Sequence, residues 1–345
     1  MRSIGRILQV ALTYIGTVVG AGFASGQEII QFFTRFGAWG AAAIIISTAL
    51  FVWLGAKMML MASSISARSY EDLNKALFGP RVGSWVSHFM LVVLLGVSAV
   101  MLAGAGAIFK EHLGIHYQTG LMITLLGCFL LLRKGMEAIL AVNTVVVPVM
   151  LIFTILIMVD SLTSPGSDRW LLLTSDHSPW ALWASPFLYT AFNLSLAQAV
   201  LVPLGARIKD RRIILTGAWI GGIGIGFMLL VGHIALSQYM PGITQFAIPM
   251  GGIARQLGGA IQLIYIFLIF AEIFTTLIAD IYGLSLQLRE RLRWPRELLI
   301  LAILLVCYAA SQIGFGPLVS TLYPLFGLIS LGWLFLIIRK RGLEN

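Results

Sequence analysis

Ten long apolar runs separated by short polar stretches dominate the chain. They cover Ile4–Phe36, Trp39–Ser63, Val82–Phe109, Thr119–Leu132, Met136–Ser161, Pro179–Ala206, Arg212–Tyr239, Ala260–Leu288, Glu297–Ile313 and Pro317–Ile338. Most are close to the ~20 residues that a helix needs to cross a bilayer. The first is far longer, which predicts two half-helices and an interruption. Ser64–Pro80 reads as a polar loop. Leu162–Ser178, the longest polar stretch, divides the chain near its middle. Met240–Gly259 is apolar but broken by Pro241, Gly242, Pro249, Gly251 and Gly252, so it reads equally as a re-entrant or surface lid and as a plain loop. The pattern predicts an all-α, polytopic membrane protein of ten transmembrane helices in one domain, residues 1–345. Five runs precede the central loop and five follow it. With an odd number in each half, any repeat must be inverted, with repeat 1 at about 1–161 and repeat 2 at about 179–341.

Charge fixes an orientation for this plan. If the ten runs alternate, Arg35, Lys110, Arg169 and Arg255 fall on one side and Lys57 lies within run two. The remaining 18 of the 23 Lys and Arg residues fall on the side of the N-terminus. Short cytoplasmic loops carry such an excess, so the reading is a multi-pass protein of the cytoplasmic (inner) membrane with both termini cytoplasmic.

Composition narrows the class further. The chain is 59% hydrophobic and 11% charged, against about 25% charged in soluble domains. The net charge of +9 is spent on orientation, and no hydrophilic domain exists to present a groove to nucleic acid. Cys128 and Cys307 lie in separate apolar runs and read as small buried side chains. Arg2 and Arg6 precede the first run without a following cleavage site, so that run reads as a retained helix.

The chemistry concentrates in Gly16-Thr17-Val18-Val19-Gly20-Ala21-Gly22-Phe23-Ala24-Ser25-Gly26-Gln27-Glu28. Each glycine costs a helix interior roughly 0.5–1 kcal/mol, and a lone carboxylate at mid-bilayer costs ~2.5 kcal/mol or more. A broken helix resolves both. The expectation is unwinding near Val19–Ala24, with Ser25 as N-cap of the second half and Ser25-x-x-Glu28 as a capping box. Run six carries Ser195-x-x-Gln198 at the corresponding place, which predicts a second break. Two such breaks offer half-helix N-termini to an anion and unwound carbonyls to a cation. The candidate substrate site is Gly20, Ala21, Gly22, Phe23, Ala24, Ser25, Gln27 and Glu28 with Phe192, Asn193, Ser195 and Gln198. Glu28 reads as the capping acid, as a partner for a cationic substrate, or as a proton carrier.

Run eight places Glu272, Thr275, Thr276, Ala279, Asp280 and Gly283 on one helical face. A polar stripe there faces the protein interior and reads as a cation or proton path. The bland alternative has Thr275 and Thr276 bonding their own i−4 carbonyls and Asp280 meeting cytoplasmic water or an arginine. Lys57 reads as snorkelling, His88 and His233 as hydrogen-bonded structure, Asn143 and Pro148 as a kink, and Gly104 and Gly106 as a close helix contact.

Ten helices, a 5+5 inverted plan and breaks in runs one and six resemble the LeuT fold of the amino acid–polyamine–organocation superfamily. The glycine-rich stretch of run one, with the chain length, looks like the YkvI-like bacterial membrane proteins. The resemblance implies a secondary active transporter with no cofactor beyond a coupling ion, Na⁺ or H⁺. It implies a Na⁺ site formed by the carbonyls of Gly16 and Val19 and the hydroxyls of Thr275 and Thr276, and a cytoplasmic gate between Arg2 or Arg6 and Glu290. Phe23 stands where some members use Asn for a second Na⁺, so that site is not expected. The function read here is alternating-access transport of a small molecule, an amino acid or related amine, with the lipid bilayer as surroundings and oligomeric state unassigned. No nucleotide loop, metal-ligand cluster or nucleophile-and-base arrangement suggests an enzyme. The rivals are a ligand-sensing subunit like those of spore germinant receptors, and a channel.

Overall fold

The computed structural model describes residues 2–67, 69–134, 137–164, 168–175, 177–292 and 294–340, and their side chains apart from 2, 133–134, 137–145 and 290–291. The first run is broken into α1 (Arg2–Val18), α2 (Ala21–Ser25), α3 (Gln27–Phe32) and a 3₁₀ turn at Thr34–Phe36. Then come α4 (Trp39–Ser64), α5 (Tyr70–Phe78), α6 (Pro80–Glu111), α7 (Tyr117–Lys134), α8 (Glu137–Thr163), α9 (Arg169–Leu172), α10 (Pro179–Arg207) and α11 (Arg211–Ser237). α12 (Pro249–Ala254), α13 (Gly259–Leu292), α14 (Arg296–Ser311) and α15 (Phe315–Arg339) complete the chain. Each of the ten apolar runs therefore holds one long helix, except the first, which is broken into pieces; the order is consistent with ten crossings. Among the described residues, seven of these helices are long and apolar enough to span a membrane on length and composition alone.

One helix went unforeseen. Within the expected loop Ser64–Pro80, α5 begins with a complete capping box: Ser69 Oγ accepts from the Asp72 amide at 3.4 Å, and Asp72 Oδ2 accepts from the Ser69 amide at 3.1 Å. α5 lies on the face where the chain starts, and packs against α6, α10 and α15. Lys57 is on the same face. It is buried, and donates to the carbonyl of Ile338 at 3.2 Å in the last turn of α15. The carbonyl end of a helix favours such a cation.

The helices sort into two groups. α1, α4, α10 and α11, which are crossings one, two, six and seven, pack among themselves. α6, α7, α13 and α14, which are crossings three, four, eight and nine, form the other group. α8 touches members of both, and α15 leans on α10 and α6. Corresponding members of the two halves thus keep company, as an inverted repeat requires.

Small residues bring the first group close. The α4–α11 contact is backbone against backbone at Gly222, where a Cβ would stand 2.8 Å from the Val52 amide nitrogen. Lipid tails are as apolar as leucine, so such helices associate by contact quality and not by escape from water. Tyr14, fully buried, ties α1 to α4 by donating to the Phe51 carbonyl at 2.8 Å. His233 sits against Thr34 Oγ1 at 3.2 Å, a structural contact of the kind expected. Cys128 and Cys307 are buried free thiols, and Asn143 lies outside the described side chains.

A Gly222→Ala variant should destabilise the detergent-solubilised protein by ~1–3 kcal/mol, the usual cost of overpacking. Gly5→Ala, where a Cβ meets nothing within 4 Å, is the control. Equal thermal midpoints for the two variants would contradict the close α4–α11 approach.

Candidate functional site: a doubly jointed helix

The interruption in the first crossing has two joints. α1 closes with the Val19 amide on the Ile15 carbonyl at 2.7 Å, and the next amide, Gly20, turns to the Val18 carbonyl at 3.0 Å. The Gly16 carbonyl thereby loses its helical donor. Gly20 is extended (φ −104°, ψ −168°) and α2 starts behind it. The second joint is Gly26, left-handed at φ 89° and ψ −7°, which ends α2 and starts α3. Glycine alone adopts that conformation readily. Its missing side chain also admits Pro249 and Met250 of α12.

The expected cap did not form. Ser25 lies inside α2, where its hydroxyl donates to the Gly22 carbonyl at 2.9 Å and accepts weakly from the Gln27 amide at 3.4 Å. Gly26 takes the cap position instead. Glu28 does not reach back to Ser25. Its carboxyl folds onto Gly22, where a Cβ would collide with Oε1. The side chain is 4% exposed, and Oε2 has no hydrogen-bond partner among the described residues. The Tyr189 hydroxyl stands beside this carboxyl without closing a well-formed hydrogen bond. Ala21 through Ser25 are all buried, and the Ala24 carbonyl accepts from Tyr265 of α13 at 2.9 Å. The middle piece and the second joint are thus enclosed by protein, as membrane depth demands, while Gly20 at the first joint is half-buried and a Cβ there would meet no atom within 4 Å.

The second break is absent. α10 is one helix from Pro179 to Arg207, and the Ser195–Gln198 box is not a cap. Ser195 donates to the Phe192 carbonyl at 2.7 Å, Gln198 Nε2 to the Ser195 carbonyl at 2.7 Å, and Asn193 Nδ2 to the Tyr189 carbonyl at 3.0 Å. Polar side chains that bond to their own preceding turn need no unwinding. What α10 brings to the site is side chains. Tyr189 Oη, Thr190 Oγ1 and Gln198 Oε1 are buried and unpaired among the described residues. The Phe192 ring lies 4.4 Å from that of Tyr323 on α15, centroid to centroid, at 34°. Ser195 also receives the Ser330 hydroxyl at 3.0 Å. A cavity of about 290 Å³ between α5, α6 and α15 ends at this serine pair.

Opposite the N-terminal face, the Met240–Gly259 stretch folds into a 3₁₀ turn at Gly242–Gln245, α12 and a second turn at Arg255–Leu257. It covers the break. Gln27 Nε2 donates to the Phe246 carbonyl at 2.6 Å. Glu111, at the end of α6, accepts from the amides of Ala247 and Ile248 at 2.8 and 3.0 Å. His112 Nε2 lies 3.2 Å from the Ile248 carbonyl. Burial lowers the imidazole's pKa below its ordinary value, which favours the neutral ring, whose N–H can donate there. The lid alternative describes this segment better than the plain loop.

Run eight divides its polar residues. Thr275 Oγ1 donates to the carbonyls of Ala271 at 2.9 Å and Glu272 at 3.2 Å, the bland arrangement, although its lone pairs stay free to meet a cation. Glu272 is 2% exposed. With Thr276 it follows Tyr265, the residue that touches the break, at spacings of seven and eleven along one face. Asp280 lies toward Cys307 of α14 and toward Tyr323 of α15, the tyrosine that Glu28 also reaches, and its Oδ2 is buried without a partner among the described residues. Of the gate residues, Arg6 is exposed, while the side chains of Arg2 and Glu290 lie outside those described. Sequence reasoning missed Tyr189, Tyr265 and Tyr323. Tyrosines deep inside apolar runs, away from the interfaces where they usually sit, were the available signal.

No family model matches the sequence. Three solved structures superpose on nearly all of it: MhsT with L-phenylalanine (TM-score 0.66, 15% identity, 94% of this chain and 87% of that one), Mhp1 facing inward (0.63, 12%, 96% and 75%), and a manganese transporter of Eremococcus coleocola (0.61, 15%, 96% and 76%). These identities carry the fold alone. The protein is an all-α, multi-pass membrane protein of the LeuT fold. It is 40% identical over 341 residues to membrane protein YkvI of Bacillus subtilis (strain 168), covering 99% of this chain and 98% of that one. YyaD of the same organism is 25% identical over 320 residues, 93% and 92% of the two chains. The chain belongs to the YkvI family.

The Glu28–Gly22 contact is testable by a double-mutant cycle. Gly22→Ala should cost ~1–3 kcal/mol of stability, and less when Glu28 is already Ala, giving a coupling of at least ~0.5 kcal/mol. Additive thermal midpoints would mean that the carboxyl does not lie on Gly22.

Proposed function

We propose that this protein is a secondary active transporter that moves a small solute, an amino acid or related amine, across the cytoplasmic membrane by alternating access. The observation that carries the reading is the doubly jointed first crossing. Its buried middle piece, α2, touches α13 of the second helix group, so ligand binding there is felt by both groups. The substrate lies between Gly20–Ser25 and Phe192–Ser195, with the orphaned polar atoms of α10 and Glu28 as its partners. One helix group rocks against the other, and the Met240–Gly259 segment covers the site on one side. The excess of Lys and Arg on the N-terminal face supports a cytoplasmic assignment for that face.

The coupling ion, Na⁺ or H⁺, binds beside the break. The Gly16 carbonyl, released by the turn at Gly20, and the Val19 carbonyl offer hard oxygen ligands. Thr275 and Thr276 supply hydroxyls, and Glu272 a carboxyl that holds either ion. Asp280, turned toward α14 and α15, serves this site less well. No step calls for an enzyme's nucleophile or a resident cofactor.

Purified protein in proteoliposomes decides the matter. Uptake of labelled amino acids and amines should saturate, show counterflow, and respond to an imposed Na⁺ or pH gradient. Where Na⁺ drives uptake, Thr276→Ala should raise the half-saturating Na⁺ concentration about tenfold, equivalent to ~1.4 kcal/mol. Flux without saturation or counterflow would favour a channel. Binding without flux would favour a sensor.

A further inference from the structure

We propose that the cavity between α5, α6 and α15 is a lipid site. It takes one acyl chain of a phospholipid from the leaflet on the N-terminal face, and the lipid's anionic headgroup lies at Arg81 and Lys340. The inference does not depend on what the broken crossing binds.

The first argument is depth. The cavity holds about 290 Å³. One end is lined by Phe78, the last residue of α5, and the other by Ser195 and Ser330. Ser330 lies nine residues before Arg339, where α15 ends, which is about 14 Å of helix at 1.5 Å per residue. Half the hydrocarbon core of a bilayer is ~15 Å. The cavity therefore reaches from the interface nearly to mid-membrane, the depth that a lipid chain occupies.

The second argument is the wall. Trp85 and Phe89 of α6 and Ile329 of α15 line it, and the polar groups that reach it are already paired. Ser330 donates to Ser195 at 3.0 Å, Ser195 donates to the Phe192 carbonyl at 2.7 Å, and Trp333 Nε1 donates to Asn74 Oδ1 at 3.0 Å. Among the described residues, the lining leaves no buried polar side-chain atom unpaired, in contrast to the cluster at the break. A polar solute finds no partner here, whereas an apolar chain needs none. Val82, Trp85, Phe89 and Val92 share one face of α6 at helical spacing. Trp85 is 78% exposed, and Val82 and Val92 are exposed with it, so the mouth opens toward lipid.

The third argument is charge. Arg81 is exposed one turn before Trp85, on the same face of α6. Lys340 follows the end of α15 and donates to the Ala76 carbonyl at 3.3 Å, two residues from Phe78 of the wall. Neither has an acidic partner among the described residues. The acids on α5 are engaged: Glu71 pairs with Lys75 at 2.8 Å, and Asp72 closes the helix cap. Basic side chains at the mouth of a pocket between membrane helices select anionic headgroups. The inner end of the chain meets Ser195 of α10 while its flank meets α6, so the lipid touches both helix groups.

The test uses the full chain in vesicles of equal parts phosphatidylcholine and phosphatidylglycerol, with bromine on the acyl chains of one lipid or the other. Bromine quenches tryptophan fluorescence at close range. Trp333 is 4% exposed, so a chain inside the cavity reaches it far better than bulk lipid does. Its signal is the difference between the parent and Trp333→Phe. Quenching of that signal should be about twofold stronger or more with bromine on phosphatidylglycerol than on phosphatidylcholine. Arg81→Gln combined with Lys340→Gln should bring the two values together. Gly332 lines the cavity where a Cβ would meet nothing within 4 Å. Gly332→Leu should therefore fill the space and remove the quenching, while the thermal midpoint stays at or above the parent's because leucine is the better helix former. Should that variant fold poorly, the charge variant decides alone. Absence of Trp333 quenching, equal quenching by both lipids in the parent, undiminished quenching in a folded Gly332→Leu, or an unchanged lipid preference in the charge variant would overturn the proposal.

Discussion

A peptide group in hydrocarbon has no water to turn to, so every amide and carbonyl must find a partner inside the protein. The first crossing breaks its own ladder between Val19 and Gly26, and the rest of the structure is arranged around that break. Tyr265 of α13 donates to the Ala24 carbonyl, the Ser25 hydroxyl to that of Gly22, and Gln27 ties the start of α3 to Phe246. Ser25 and Gln27 belong to the broken crossing itself, while Tyr265 and the Phe246 carbonyl are brought to it from elsewhere in the chain. The interruption is supported from outside by α13 and by the Met240–Gly259 segment, which converge on it.

That convergence explains the division of the helices. The group containing α1, α4, α10 and α11 closes on itself through small residues and buried aromatics, while α6, α7, α13 and α14 form a second body. α2 belongs to the first group by sequence and touches the second through α13. Glu28, Tyr189 and Tyr323 come from α3, α10 and α15. Their proximity is a product of the fold, and no short motif could encode it.

The sequence made the ten crossings, the interrupted first run and the broken Met240–Gly259 segment readable, because hydropathy and glycine placement act locally. Its capping boxes misled, and they did so in a consistent way. Ser69-x-x-Asp72 forms a true box because the start of α5 is exposed and its first amides have no better acceptor. Ser195 sits inside a continuous helix whose amides are already bonded, so its hydroxyl turns back to Phe192. Ser25 is pre-empted by Gly26, whose left-handed backbone makes the turn without a side chain. The motif reports a helix start only where amides are otherwise unsatisfied, and the pattern of letters does not carry that condition. The division of the polar stripe on α13 was hidden for a related reason. One turn separates Thr276 from Asp280, but which neighbours each meets depends on α14 and α15, which are distant in sequence.

The two joints in the first crossing have a mechanical consequence. A helix with one hinge must swing its whole outer arm whenever the inner arm tilts. With hinges at Gly20 and Gly26, the five-residue α2 becomes a short crank between two longer arms. α1 can change its angle at the first hinge while α3 stays clamped beneath Phe246 and Pro249. The crank's own rotation then carries Gly22, and with it the seat of the Glu28 carboxyl. In the proposed transport cycle, opening on one face and grip on the ligand would be separate movements of a single segment, linked through five residues.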